Sequence, residues 1–132
     1  MISQNNSAVK KPKGLPADKF NALIIDSIQD IKGKNIVLLD LRHLHDAPTD
    51  FFIICEGDSN FQVRSIADNI KKRLYEEMDI LPNHIEGQQK SLWVLVDYFT
   101  VVVHVFYRET REFYELEDLW GDAIFTEFQN LN

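Results

Sequence analysis

A chain of 132 residues is long enough for one hydrophobic core and too short for two. Its net charge of −7 argues against a general binder of phosphate backbones and suits a basic protein partner, whose encounter opposite charge would speed. A single cysteine, Cys55, excludes an intramolecular disulfide, and no apolar run approaches the ~20 residues of a membrane helix.

Residues 1–15 are polar, with Lys10, Lys11 and Lys13 close together, and read as a disordered tail. This stretch has no apolar signal core and no arginine, the pattern of a cytoplasmic protein rather than one with a presequence. From Pro16 the pattern turns helical: Phe20, Leu23, Ile24, Ile28 and Ile31 fall on one face, and Gly33 sits where a helix would stop. Residues 35–41 read as a strand, residues 43–49 as a loop containing Pro48, and Phe51 to Cys55 as a wholly apolar second strand. Ser59 is placed to cap a helix over residues 60–78, whose buried face carries Val63, Ile66, Ala67, Ile70, Leu74 and Met78. A short strand over residues 83–86 precedes the polar turn GQQKS.

Leu92 to Val96 and Val101 to Phe106 then form an apolar hairpin. Alternation puts Trp93, Leu95 and Asp97 on one side and Leu92, Val94 and Val96 on the other, so both sides are largely apolar. Such a hairpin is either a central strand pair covered on both faces, or it shows one apolar face to a partner. A short helix over residues 112–120 follows, stopped by Gly121, with residues 122–132 as a loosely docked end. The element order implies a single α/β domain over residues 16–124, a mixed five-stranded sheet packed with helices, and a C-terminal end over 125–132. Few of its strands can be parallel, because only the helix over residues 60–78 offers a good crossover.

Little catalytic chemistry stands out. His43, His45 and Asp46 form an H-x-H-D run, but a zinc ion needs three or four ligands and no convincing further set exists; neither a metal nor a cofactor is expected. Glu112, Glu115, Glu117 and Asp118 beside Arg108 and Arg111 read as a solvated helix face with helical ion pairs. Asp40 and Arg42 are expected to point to opposite faces, leaving Arg42 to pair with Asp50 or another acid. Trp93 and Tyr98 are expected to be interface anchors, Tyr98 because a hairpin tip is hard to bury. Trp120 reads as a packing knob for the last helix. His104 shares a face with Val102 and Phe106.

The run D-Y-x-x-V-V-V-H-V-F, then T-R-E-F-Y-x-L-E-x-L-W-G-D, resembles the Iojap family, the ribosomal silencing factors. Asp40-Leu41-Arg42, Asp50 to Ile54 with Gly57 and Ser59, Ile66-Ala67-Asp68 and Glu86-Gly87 extend the resemblance over residues 20–122. It implies a fold similar to the nucleotidyltransferase core. It also implies a cytoplasmic, bacterial-type, non-enzymatic protein that docks on the large ribosomal subunit, chiefly on ribosomal protein number fourteen. There it would block joining of the small subunit and lower translation when nutrients are scarce. Minor contact with ribosomal RNA, a role in large-subunit maturation and homodimerisation of the free protein are compatible with it. The implied interface is Trp93, Asp97, Tyr98, His104 and Phe106, with Asp50 and Glu86 at its margin, and Tyr98→Ala is expected to lose ribosome binding without a change in melting temperature.

The chain departs from the family at the hairpin tip, where Phe99-Thr100 replaces the usual Gly-Asp, and after Ser59, where Asn60-Phe61 is less polar. It also lacks the acidic pair of a nucleotidyltransferase. Asp58 splits Gly57 from Ser59, no D-x-D or D-x-E follows at the right distance, and a shared fold does not supply an active site.

Overall fold

The structure, a computed structural model, describes residues 17–131. The expected N-terminal tail lies outside the described residues. The elements in chain order are α1 (Ala17–Asp30), β1 (Lys34–Asp40), β2 (Phe51–Gly57), α2 (Asn60–Met78), β3 (His84–Glu86), β4 (Trp93–Asp97), β5 (Val101–Tyr107), α3 (Arg108–Tyr114), α4 (Leu116–Leu119) and β6 (Ile124–Glu127).

The apolar spacing read from the sequence forms α1, with Phe20, Leu23, Ile24 and Ile28 buried. The chain then turns hard at Gly33, whose amide donates to the Ile28 carbonyl at 3.0 Å. A Cβ there would collide with the Ile28 side chain, so the close approach of turn and helix requires glycine. For α2, Ser59 accepts from the Gln62 amide at 3.0 Å, and Asp79 closes the helix in the left-handed region at φ 58°. The Ile80 amide returns to the Leu74 carbonyl at 3.2 Å, completing a Schellman-type end.

The sheet has six strands in the order β3-β4-β5-β2-β1-β6. Only β2 and β5 are parallel, and α2 with the β3–β4 hairpin makes the crossover between them. The sixth strand corrects the expectation of five. Residues 124–127 pair with β1, so part of the stretch expected as a loosely docked end is a strand of the sheet. All four side chains of β6 are exposed, so it carries no apolar alternation by which it could be read.

One face of the sheet meets α1 and α2 around Ile36, Ile53, Val94, Val103 and Val105. The other face carries a smaller cluster: Val37, Leu39, Phe52, Ile54 and Phe106, with Leu116 and Ala123 above. The helix expected over residues 112–120 is two pieces, starting earlier, at Arg108. Glu115 adopts φ 50° between them, and this break turns Leu116 down into the second cluster. Trp120 packs edge-on against Phe52 at 5.7 Å, as its expected role required.

Two ion-pair expectations also change. Asp40 and Arg42 do pair, at 2.9 and 2.7 Å, because the chain leaves the strand at Leu41 and the Arg42 amide itself donates to Asp40 Oδ1. Arg111 is no solvated helix residue. Its guanidinium, 11% exposed, donates to Glu56 at 3.0 Å, to Glu117 at 3.0 and 2.6 Å and to the Asn35 carbonyl at 2.8 Å.

Candidate docking face

The β3–β4–β5 end of the second sheet face is only partly covered. Register sets the side chains in rows: Trp93 opposite Phe106, Leu95 between Glu86 and His104, and Asp97 between His84 and Val102. Directly opposed residues share a face, so these rows form one surface. Trp93, Leu95, Asp97 and Val102 are half-buried, while Glu86 and His84 are exposed on the edge strand and in contact with each other.

Aromatic rings form the floor. Trp93 lies 4.7 Å from Phe106 and 5.0 Å from Tyr114, and His104 meets Phe52 edge-on at 4.6 Å. The Trp93 indole N–H donates to His104 Nδ1 at 3.1 Å, which fixes the indole's direction. An indole nitrogen only donates, so His104 Nδ1 accepts and the neutral ring carries its proton on Nε2. Burial pushes the His104 pKa down to about 4, which keeps the ring neutral at physiological pH. Gly87, at φ +88°, lies against the Trp93 carbonyl where no Cβ would fit, so it fixes the turn beside the indole.

The sequence-derived interface is therefore partly gathered and partly dispersed. Glu86, Trp93, Asp97, His104 and Phe106 share the open face, but His104 and Phe106 lie beneath its surface, 4% and 0% exposed. Asp50 is half-buried just ahead of β2, its carbonyl accepting from the Leu41 amide at 2.8 Å. Tyr98 is the clear correction. It is 3% exposed and faces the opposite core, edge-on to Phe20 at 5.5 Å.

The hairpin tip turns one residue later. Tyr98 N–H donates to the Val101 carbonyl, and Asp97 Oδ1 accepts from the Phe99 amide at 2.7 Å. Phe99 takes the tip at φ 72°, which explains why glycine suits this position, and its ring is exposed. Leu95 and Val102, placed on this face by alternation, belong to it as much as Trp93 does. Tyr114 was missed because only tertiary packing brings it to Trp93.

Among the described residues no three His, Cys, Asp or Glu side chains gather as a metal group, and no helix is long and apolar enough to cross a membrane. The Ser59 hydroxyl is used in capping α2. Fold and surface together define a small α/β protein with one sheet face packed under helices and the other left partly open and aromatic.

The chain belongs to the ribosomal silencing factor family. The family's sequence model, described as "Ribosomal silencing factor during starvation", matches residues 16–132. A Halalkalibacterium halodurans protein named ribosomal silencing factor RsfS is 38% identical over 109 residues, 83% of this chain and 92% of that protein. A crystal structure of a Chromobacterium violaceum protein superposes with a TM-score of 0.76 at 36% identity, covering 81% of this chain and 88% of the other. A mouse protein named "Mitochondrial assembly of ribosomal large subunit protein 1" is 35% identical over 117 residues, 80% of this chain and 49% of that protein. The resemblance carried by the D-Y-x-x-V-V-V-H-V-F and T-R-E-F-Y-x-L-E-x-L-W-G-D runs is borne out.

Proposed function

We propose that this protein acts in the cytoplasm by docking its open sheet face on the large ribosomal subunit, chiefly on ribosomal protein number fourteen. Held there, it obstructs the small subunit and lowers translation when nutrients are limiting. The observation that carries this reading is the half-buried set Trp93, Leu95 and Val102 on a partly open face, edged by Asp97 and Glu86. Apolar anchors with an acidic rim fit a basic protein surface. Trp93 and Leu95 make contact, Asp97 and Glu86 set charge, and His104 and Phe106 hold Trp93 in place. Tyr98 supports the tip from behind. Contact with ribosomal RNA is minor and would fall to the lysines at 10, 11 and 13, outside the described residues. No catalytic step is part of this reading. Saturable binding of magnesium and a nucleoside triphosphate in titration calorimetry would return a nucleotidyltransferase-type enzyme to consideration.

The test is co-sedimentation with purified large subunits, small subunits being added before or after. The expected result is selective binding to large subunits and fewer joined ribosomes. Leu95→Arg is expected to lose at least tenfold in affinity at an unchanged melting temperature. Absence of binding by the unaltered protein overturns the reading. The name of the mouse relative favours a second role, in large-subunit assembly. Binding without any effect on joining would select that role.

A further inference from the structure

The α3–α4 ridge exposes Phe113 at 79%, Tyr114 at 54% and Leu119 at 75%. No residue of α3 is buried, although it carries two aromatic rings. Phe113 lies outside both core clusters and Tyr114 only borders Trp93, and an exposed patch of this kind marks a contact surface. Phe113 and Tyr114 meet edge to face at 5.0 Å, and Tyr114 in turn lies 5.0 Å from Trp93. The ridge is thus continuous with the sheet face.

Its charge is one-sided. Glu112, Glu115 and Asp118 are exposed among these apolar side chains. The two arginines nearby are occupied, Arg108 with Asp58 and Arg111 with Glu56 and Glu117. Among the described residues no basic side chain pairs with Glu112, Glu115 or Asp118. The ridge is also held in shape, because Arg111 ties α3 to β2 and to α4 while Leu116 plugs the second cluster. A surface fixed before binding loses little entropy on docking.

We infer that the α3–α4 ridge is a second contact area of the docking face and takes a lysine- or arginine-rich protein segment of the large subunit. This rests on the docking function proposed above. The partner's long cationic side chains lie across Phe113 and Tyr114, and their charged ends meet Glu112, Glu115 and Asp118. Leu119 supplies the apolar contact. Two other occupants fit less well. A second copy of the chain would bring like-charged ridges together across a two-fold axis, and RNA would meet carboxylates with phosphates.

The test measures binding to purified large subunits for the unaltered chain, Leu95→Arg, Phe113→Ser/Leu119→Ser and Glu112→Lys/Glu115→Lys. Both ridge variants alter only exposed residues, and melting curves check that they fold. Each is expected to bind at least tenfold more weakly, and the lysine variant to show a flatter dependence on salt. Ridge variants that bind like the unaltered chain, while Leu95→Arg does not, overturn the inference and leave the docking function standing. Failure of the unaltered chain to bind refutes the docking function instead. A dimer in sedimentation that the ridge variants dissolve assigns the ridge to a second copy and also overturns the inference.

Discussion

Arg111→Met removes the hub of the second sheet face, and its cost can be worked from the contacts. The guanidinium makes four hydrogen bonds, to Glu56, to the Asn35 carbonyl and twice to Glu117. Glu56 is the costly partner to abandon, because its side chain is only 8% exposed. A buried pair broken on one side leaves an uncompensated charge worth roughly 3 to 5 kcal/mol. Glu117, at 26% exposure, can rehydrate and adds less. For a domain of this size that loss lowers the melting temperature by roughly 10 to 20 °C. The companion variant is Arg111→Met/Glu56→Leu, which removes both charges. Replacing both members of a buried pair by apolar groups is often close to neutral, so most of the stability is expected to return. Urea unfolding of the unaltered chain, the single variants and the double variant measures the coupling. A loss below about 1 kcal/mol for Arg111→Met, within the range of solvent-exposed pairs, would refute the argument. So would a double variant as unstable as the single one.

Tyr98→Ala is expected to cost about 3 to 5 kcal/mol, the usual range for emptying a buried aromatic site, so its melting temperature falls rather than holding. Tyr98→Phe is expected to be neutral or stabilising, because the buried hydroxyl has no partner among the described residues; a loss above about 1 kcal/mol would reveal a hidden hydrogen bond. His104 titrates at about 4 folded against 6.5 unfolded, so between these values the unfolded chain binds more protons. Its contribution to stability is therefore complete above the unfolded value and lost as pH falls, by about 2 kcal/mol between pH 7 and pH 5. His104→Gln keeps an acceptor for the Trp93 indole but does not titrate, and equilibrium unfolding across that range is expected to show a flatter slope. An unchanged slope would mean that His104 is hydrated.

Periodicity carried most of the fold. The α2 boundaries follow from Ser59, the apolar spacing and the exit before Pro82, because that helix is both locally capped and amphipathic. Alternation assigned the faces of β4 and β5 correctly, including the row of Val102, His104 and Phe106. The same alternation, carried one residue past Asp97, puts Tyr98 on the opposite face, where it is buried, whereas a hairpin tip was expected to stay exposed. The tip lies instead at Phe99, and α1 reaches Tyr98 through Phe20. Asp40 and Arg42 are two residues apart and were wrongly given opposite faces; residues at that spacing share a side of a strand. Arg111 could not be read at all. Its partners come from β1, β2 and α4, and nothing local distinguishes it from Arg108, which stays at the surface.

The difference between the two sheet faces follows from lengths. A six-stranded sheet spans about 24 Å across its strands. Two helices side by side, each about 10 Å wide, nearly cover it, and α1 and α2, of 14 and 19 residues, do this on one face. On the other face the helical cover is the 7 residues of α3 and the 4 of α4, with Leu41, Leu44 and Ala47 of the β1–β2 connection beside them. Together these cover roughly one helix width, over β2 and the adjoining edge of β5, as the contacts of Leu116 and Trp120 with the second cluster show. The strands themselves are apolar on both sides. The β4 and β5 side chains toward the β3 edge, Trp93, Leu95 and Val102, are consequently left half-buried, with only the Tyr114 ring of α3 reaching Trp93. Lengthening α4 would cover them and add to the core, but it would also bury the anchors on which the proposed docking depends. The short helices are therefore a compromise in which core burial gives way to an open face.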